Sequence, residues 1–278
     1  MRNTIIRTLS GVVFLLLVVG SLLLGPLYTL ILFSLFVVIM TYEYLSITIK
    51  GKLYVAKVYA LISALVIYSL PYLVTMLGLD TDLLMLAAIP PAFLFVSLLY
   101  PAKSGGQVYH SHPYLFLPLI YIALPFSLTT AILFDGHGDY TPYLLLAILI
   151  FTWASDVGAY IFGLSFGQKN GHKLFPSVSP KKSWEGFAGG FIFALAAAFA
   201  VHRLGLINSG LIHLFALSII VNISGVFGDL VESQLKREFD TKDSGSIMPG
   251  HGGLLDRFDS TLISFPTAIA YILIFNIS

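Results

Sequence analysis

Runs of about 20 apolar residues recur along this chain, each long enough to cross the hydrocarbon core of a bilayer as a helix. Nine are read, at roughly 5–24, 27–49, 56–78, 83–100, 114–134, 141–164, 186–203, 211–232 and 260–277. Lipid offers no partner for a backbone N–H or C=O, so only helices and closed barrels can span it. A barrel would show alternating segments of about 10 residues, and none occur. Hydrophobic residues are 57% of the chain and charged residues 10%, against about a quarter charged in soluble domains. The expected fold class is an all-α, polytopic integral membrane protein with about nine transmembrane helices.

The basic residues orient these spans. With the N-terminus cytosolic and nine alternating spans, the inside segments hold fourteen of the 15 Lys and Arg residues, and the outside holds only Arg203. That bias is the positive-inside rule, and it places the C-terminus outside. Arg2 and Arg7 give the first run a signal-like start, but no small-x-small cleavage site follows, so a retained helix is expected. The net charge of +1 says nothing about partners, because it is segregated by side; no nucleic-acid partner is expected. With no cysteine, disulfides, thiolate metal sites and cysteine nucleophiles are excluded.

The chain divides by chemistry. Residues 1–135 form plain transmembrane helices whose one internal acid, Glu43, stands in a segment with no other chemistry. Residues 136–278 form the expected catalytic region, with polar cytosolic segments at 165–185 and 233–259. No internal repeat of the transporter kind is visible.

Acids inside apolar runs are costly and usually face a partner or a polar cavity. Asp229, Glu232 and Ser233 recur at helical spacing and share one face. Asp256 and Asp259 would share a face if the last helix begins near Leu254, just after the turn at Gly252-Gly253. Converging carboxylates repel unless a cation lies between them, and oxygen-only ligands suit Mg²⁺. Lys236, Arg237, Lys242 and Arg257 beside the glycine turn suit phosphate oxygens. His251 alone would be an ordinary loop histidine. A second constellation, Ser179-Pro-Lys-Lys-Ser-Trp-Glu-Gly186, puts Lys181, Lys182 and Glu185 before a helix N-terminus, a fit for an anion or simply a capped helix start. In a third, Ser155 and Asp156 interrupt an apolar helix, with Asp156 and Tyr160 on one face. Ala154, Gly158 and Ala159 could equally serve close helix packing. Together the residues point to metal-assisted phosphate chemistry on a membrane substrate.

Ser233-x-Leu-Lys236-Arg237, then Lys242-Asp243-x-Gly245, then Pro249-x-His251-Gly252-Gly253-x-x-Asp256-Arg257-x-Asp259 spans 27 residues. It resembles the signature of the phosphatidate cytidylyltransferases, or CDP-diacylglycerol synthases. Met248 stands where that family more often has Leu, Ile or Phe. Ser179–Gly186 and Ser155-Asp156-x-x-Ala159-Tyr160 are also similar to family segments. The resemblance covers residues 150–260 and implies that CTP and phosphatidic acid give CDP-diacylglycerol and pyrophosphate, in a cytoplasmic-membrane homodimer whose active site faces the cytosol. It further implies Mg²⁺ on Asp229 and Asp256, with a monovalent cation such as K⁺ sharing the site. Catalytic roles fall to Asp229, Asp256, Lys242, Arg257 and Asp259. Substrate contacts fall to Asp156, Lys173, Ser179, Lys181, Lys182, Glu185, Lys236, Arg237, Asp243, His251, Gly252 and Gly253. Two rivals are a secondary transporter, which intramembrane acids also fit, and a CDP-alcohol phosphatidyltransferase, whose Asp-Gly-x-x-Ala-Arg pattern is missing.

Overall fold

A computed structural model describes residues 2–49, 53–97, 108–168, 171–250 and 252–277. Among them, eight helices are long and apolar enough to cross a membrane. The protein is a multi-pass membrane protein.

The chain forms two compact units, which group residues by contact in space. One comprises Met1–Thr130, Gly136–Tyr140 and Thr241–Arg257; the other comprises Ala131–Asp135, Thr141–Asp240 and Phe258–Ser278. The segment 241–257 therefore groups with the N-terminal helices.

In the first unit, α1 (Arg2–Leu24) and α2 (Pro26–Thr48) are broken apart at Gly25, whose φ of 123° admits no ordinary side chain and whose neighbour is a proline at the first helical position. Next come α3 (Tyr54–Leu77), a 3₁₀ stretch (Thr81–Ala88) and α4 (Ile89–Ser97). The expected fourth span, 83–100, runs past the described residues at its end, and its described part is too short for an ordinary α-helical crossing. The expected fifth span is an interrupted helix: α5 (Val108–Pro118), a π-helical turn (Leu119–Ala123), α6 (Leu124–Leu128) and α7 (Thr130–Leu133). Its prolines lack the N–H that would continue an α ladder.

In the second unit, α8 (Tyr143–Phe162) ends in a π-helical turn, Gly163–Gly167. A short antiparallel hairpin follows, β1 (Lys173–Phe175) and β2 (Ser179–Ser183), with Lys173 opposite Ser183. The all-α expectation had no place for this hairpin, because Ser-Pro-Lys-Lys-Ser lacks the apolar alternation of a half-buried strand. Ser183 then caps α9 (Trp184–Arg203), accepting from the Gly186 N–H at 3.1 Å. Helix α10 (Leu211–Glu238) has 28 residues, about 42 Å at about 1.5 Å per residue. That exceeds the roughly 30 Å core; Asp229 stands about 27 Å and Lys236 about 38 Å along the helix from Leu211. The last helix, α11 (Leu255–Phe275), begins early enough to include Asp256 and Asp259.

Glycines let the helices of the second unit touch. A Cβ on Gly189 of α9 would strike the Phe162 side chain and come within 2.6 Å of the Gly158 carbonyl oxygen of α8. A Cβ on Gly228 of α10 would strike the Asp259 carbonyl oxygen and lie 3.1 Å from the Ser260 Cα. Close backbone approach of this kind is how helices associate in lipid, where water drives no packing. Close packing, the alternative reading for Gly158, is what its backbone shows. Gly189→Val should lower stability by about 1–3 kcal/mol through overpacking. Gly20→Val, where an added Cβ meets nothing within 4 Å, should not. Thermal unfolding in detergent compares the two.

Candidate active site

In the second unit a cavity of about 350 Å³ lies among α8, the hairpin, α9, α10 and α11. Asp156, Ser179, Lys181, Lys182 and Asp229 line it together with Thr152, Ser155, Tyr160, Phe187 and Ser260. Lys182 Nζ lies 2.7 Å from Asp229 Oδ2 and donates to the Val226 carbonyl at 3.3 Å. Ser233 Oγ donates to the other Asp229 oxygen at 3.1 Å, one helical turn on. Asp229 is therefore held from two sides, by a strand lysine and by its own helix. Asp259 has Asp229 and Asp156 as charged neighbours, with Lys236 as the opposing cation, and its Oδ1 accepts from the Ser260 N–H at 2.6 Å.

Three further expected residues have structural partners here. Lys173 Nζ donates to the Gly167 carbonyl at 3.0 Å. Glu185 Oε1 accepts the His172 backbone N–H at 3.0 Å and lies 3.2 Å from His172 Nδ1. Lys236 Nζ lies 2.6 Å from Glu232 Oε2, and Glu232 is fully buried. Arg237, one residue on, is exposed.

In the first unit the loop before α11 is organised by two carboxylates. Asp256 Oδ2 accepts the Gly253 N–H at 2.8 Å, the Ser244 N–H at 2.9 Å and the Ser244 hydroxyl at 2.9 Å. Glu43, 4% exposed on α2, reaches the same loop from about 200 residues away. Its Oε1 accepts the Leu254 N–H at 3.1 Å and its Oε2 accepts the Leu255 N–H at 2.8 Å. These amides open α11 and have no acceptor within their own helix. An anion there also meets the favourable end of the helix dipole. The loop's glycines follow from this arrangement. A Cβ on Gly245 would strike Glu43 Oε1, and one on Gly253 would come within 2.8 Å of the same oxygen. Gly252, at φ 87°, would place a Cβ 2.8 Å from Asp256 Oδ2. Lys242, Asp243 and Arg257 are exposed on this loop and line a second cavity, of about 560 Å³. His251 lies outside the described residues.

The expected residues thus fall into two sets. Asp156, Lys173, Ser179, Lys181, Lys182, Glu185, Asp229, Lys236, Arg237 and Asp259 belong to the second unit, while Lys242, Asp243, Gly252, Gly253, Asp256 and Arg257 belong to the first. The sequence reading missed Glu43, because its partners are a serine hydroxyl and backbone amides, which no residue pattern announces. The available signal was the cost of a lone acid in an apolar run.

Carboxylates on membrane-length helices and lysines on a strand, around one cavity, are the equipment of phosphate chemistry on a membrane substrate. Residues 5–275 match the model of the cytidylyltransferase family. A phosphatidate cytidylyltransferase of Staphylococcus saprophyticus is 34% identical over 268 residues, 94% of this chain and 96% of the relative. One from Staphylococcus haemolyticus is 35% identical over 263 residues, again 94% and 96%. A third, from Bacillus subtilis, is 42% identical over 151 residues, 54% of each. The chain belongs to the cytidylyltransferase family. Neither the transporter nor the CDP-alcohol phosphatidyltransferase reading is favoured by these likenesses.

Glu43→Ala leaves two buried amides without their acceptor, at about 1–3 kcal/mol each. Hydrogen exchange at Leu254 and Leu255 should accelerate in Glu43→Ala and much less in Glu43→Gln, which keeps one acceptor oxygen.

Proposed function

We propose that this chain transfers the cytidylyl group of CTP to phosphatidic acid, giving CDP-diacylglycerol and pyrophosphate for phospholipid synthesis. The observation that carries the reading is the Lys182–Asp229 pair in a cavity that also takes Asp156, Lys181 and Ser179, in a chain of this family.

A phosphate oxygen of phosphatidic acid attacks the α-phosphorus of CTP. A new P–O bond forms, the bond from the α-phosphorus to the bridging oxygen breaks, and pyrophosphate leaves with that electron pair. The second pKa of a phosphate monoester is about 6, so the nucleophile is largely dianionic at neutral pH and needs no base. The obstacle is bringing two anions together. Lys181 and Lys182 offset that repulsion at the cavity of the second unit, and Lys242 and Arg257 offer phosphate-binding cations on the loop of the first. Ser179 contributes a hydroxyl at the cavity wall.

The donor set beside Asp229 fits a hard divalent cation. It contains only oxygen ligands, and Asp259 has Asp229 and Asp156 as its acidic neighbours. No group of three or more acidic or histidine side chains among the described residues is arranged to hold a metal by itself, but Mg²⁺ commonly takes one or two carboxylates and completes its shell with phosphate oxygens and water. We assign Mg²⁺ to Asp229. Asp256, the other carboxylate the motif implies, is fixed in orientation by the three donors on Oδ2. Bound Mg²⁺ would polarise the phosphoryl oxygens and stabilise the departing charge, and a monovalent cation such as K⁺ would add to that neutralisation.

We place the protein in the cytoplasmic membrane, active site facing the cytosol, as a homodimer. The basic residues support this orientation, CTP is a cytosolic metabolite, and the motif resemblance supports the assembly. Asp229→Asn and Asp256→Asn should each abolish pyrophosphate release from CTP and phosphatidic acid while membrane insertion and dimerisation persist. Near-normal turnover by Asp229→Asn with Mg²⁺ would remove the metal assignment, and near-normal turnover by Asp256→Asn would remove the role the motif implies for Asp256. Chelation with EDTA should stop the wild-type reaction, and added Mg²⁺ should restore it.

A further inference from the structure

The first helix supplies a cation to the glycine-rich loop. Arg7 of α1 lines the 560 Å³ cavity with Lys242 and Arg257, and Asp243 is the one acid among its described lining residues. All four belong to the same compact unit. The contact is built into the backbone on both sides. Ser10 Oγ, one turn along α1, lies 3.1 Å from the Pro249 carbonyl oxygen. Gly250, at φ 76°, passes so close that a Cβ there would lie 2.7 Å from Arg7 Cγ. The arginine stem therefore rests on a position that only glycine suits, for both its φ and its space.

A basic residue at the start of a first helix ordinarily sets topology. That role needs charge near the membrane surface, and it needs neither a seat on a left-handed glycine nor two further cations in one cavity. Among the described residues that line this cavity, Met248 is the one large apolar side chain. The cavity beside Asp229, by contrast, includes Leu174, Phe187 and Val221. We propose that Arg7 is a specificity-determining contact for the polyphosphate end of the nucleotide, and that its cavity receives the β- and γ-phosphates that leave as pyrophosphate. This rests on the cytidylyltransferase reading above. A guanidinium presents a planar fork to paired phosphate oxygens, which an ammonium does not.

The test uses the full-length protein in mixed micelles, comparing wild type with Arg7→Gln and Arg7→Lys. Arg7→Gln should raise both the KM for CTP and the inhibition constant of pyrophosphate about tenfold or more, the loss expected for a charge-assisted hydrogen bond, and leave the KM for phosphatidic acid unchanged. Arg7→Lys, which keeps the topological charge, should show a smaller rise in the same two constants. A rise confined to phosphatidic acid would overturn the proposal and assign the cavity to the lipid phosphate. Unchanged constants in both variants would overturn it and leave Arg7 a topological charge. Lack of wild-type turnover would count against the cytidylyltransferase reading instead. The cavity is then judged by pyrophosphate alone, which should raise the thermal midpoint of wild type and not that of Arg7→Gln; equal shifts would overturn the proposal.

Discussion

Hydrocarbon gives a polar group nothing to bond with, and the architecture of this protein answers to that fact. Every backbone amide in a span must be paired within its own helix or by a neighbouring group. Charge is therefore costly within a span, and α10 carries its basic residues, Lys236 and Arg237, in its last turn. The same constraint makes Glu43 informative. A carboxylate 4% exposed on an apolar helix persists because it has somewhere to place its charge, on the opening amides of α11. Through them it holds the loop that carries Lys242, Asp243 and Gly252.

Glycine is the second means by which the sequence builds its sites. In the second unit, glycines at 158, 189 and 228 remove side chains where backbones must meet, which brings α8, α9, α10 and α11 around a cavity small enough for Lys182 to reach Asp229. In the first unit, glycines at 245, 250, 252 and 253 make room for side chains instead: Glu43, Arg7, Asp256 and Ser244. The two uses differ physically. One brings helices together in the absence of a hydrophobic drive; the other lets charged groups converge on a backbone turn.

Much of this was legible from the residues. Apolar run lengths located the helices, including the long ones at 27–49 and 211–232, because the bilayer imposes one length on all of them. The acids at 156, 229 and 259 stood out by their cost inside apolar surroundings. The parts that were not legible depend on contacts between distant segments. The hairpin at 173–183 has no periodic signature, since its strands are short and polar. The pairing of Lys182 with Asp229 joins residues 47 apart, and Glu43 meets amides that any residue would carry. Arg7 reads as a topology signal in sequence, and only the seat on Gly250 separates it from that role. The expected fourth span begins as a 3₁₀ stretch, which its apolar run did not announce.

The central claim is that attack falls on the α-phosphorus of CTP and leaves the cytidylyl group on the lipid. Following CTP labelled separately at its α- and γ-phosphates, with phosphatidic acid and the purified protein, tests it most directly. The α-label should pass into the organic, lipid-soluble product, while γ-label stays wholly in aqueous pyrophosphate. Gamma-label in the lipid, or α-label confined to the aqueous phase while CTP is consumed, would contradict it.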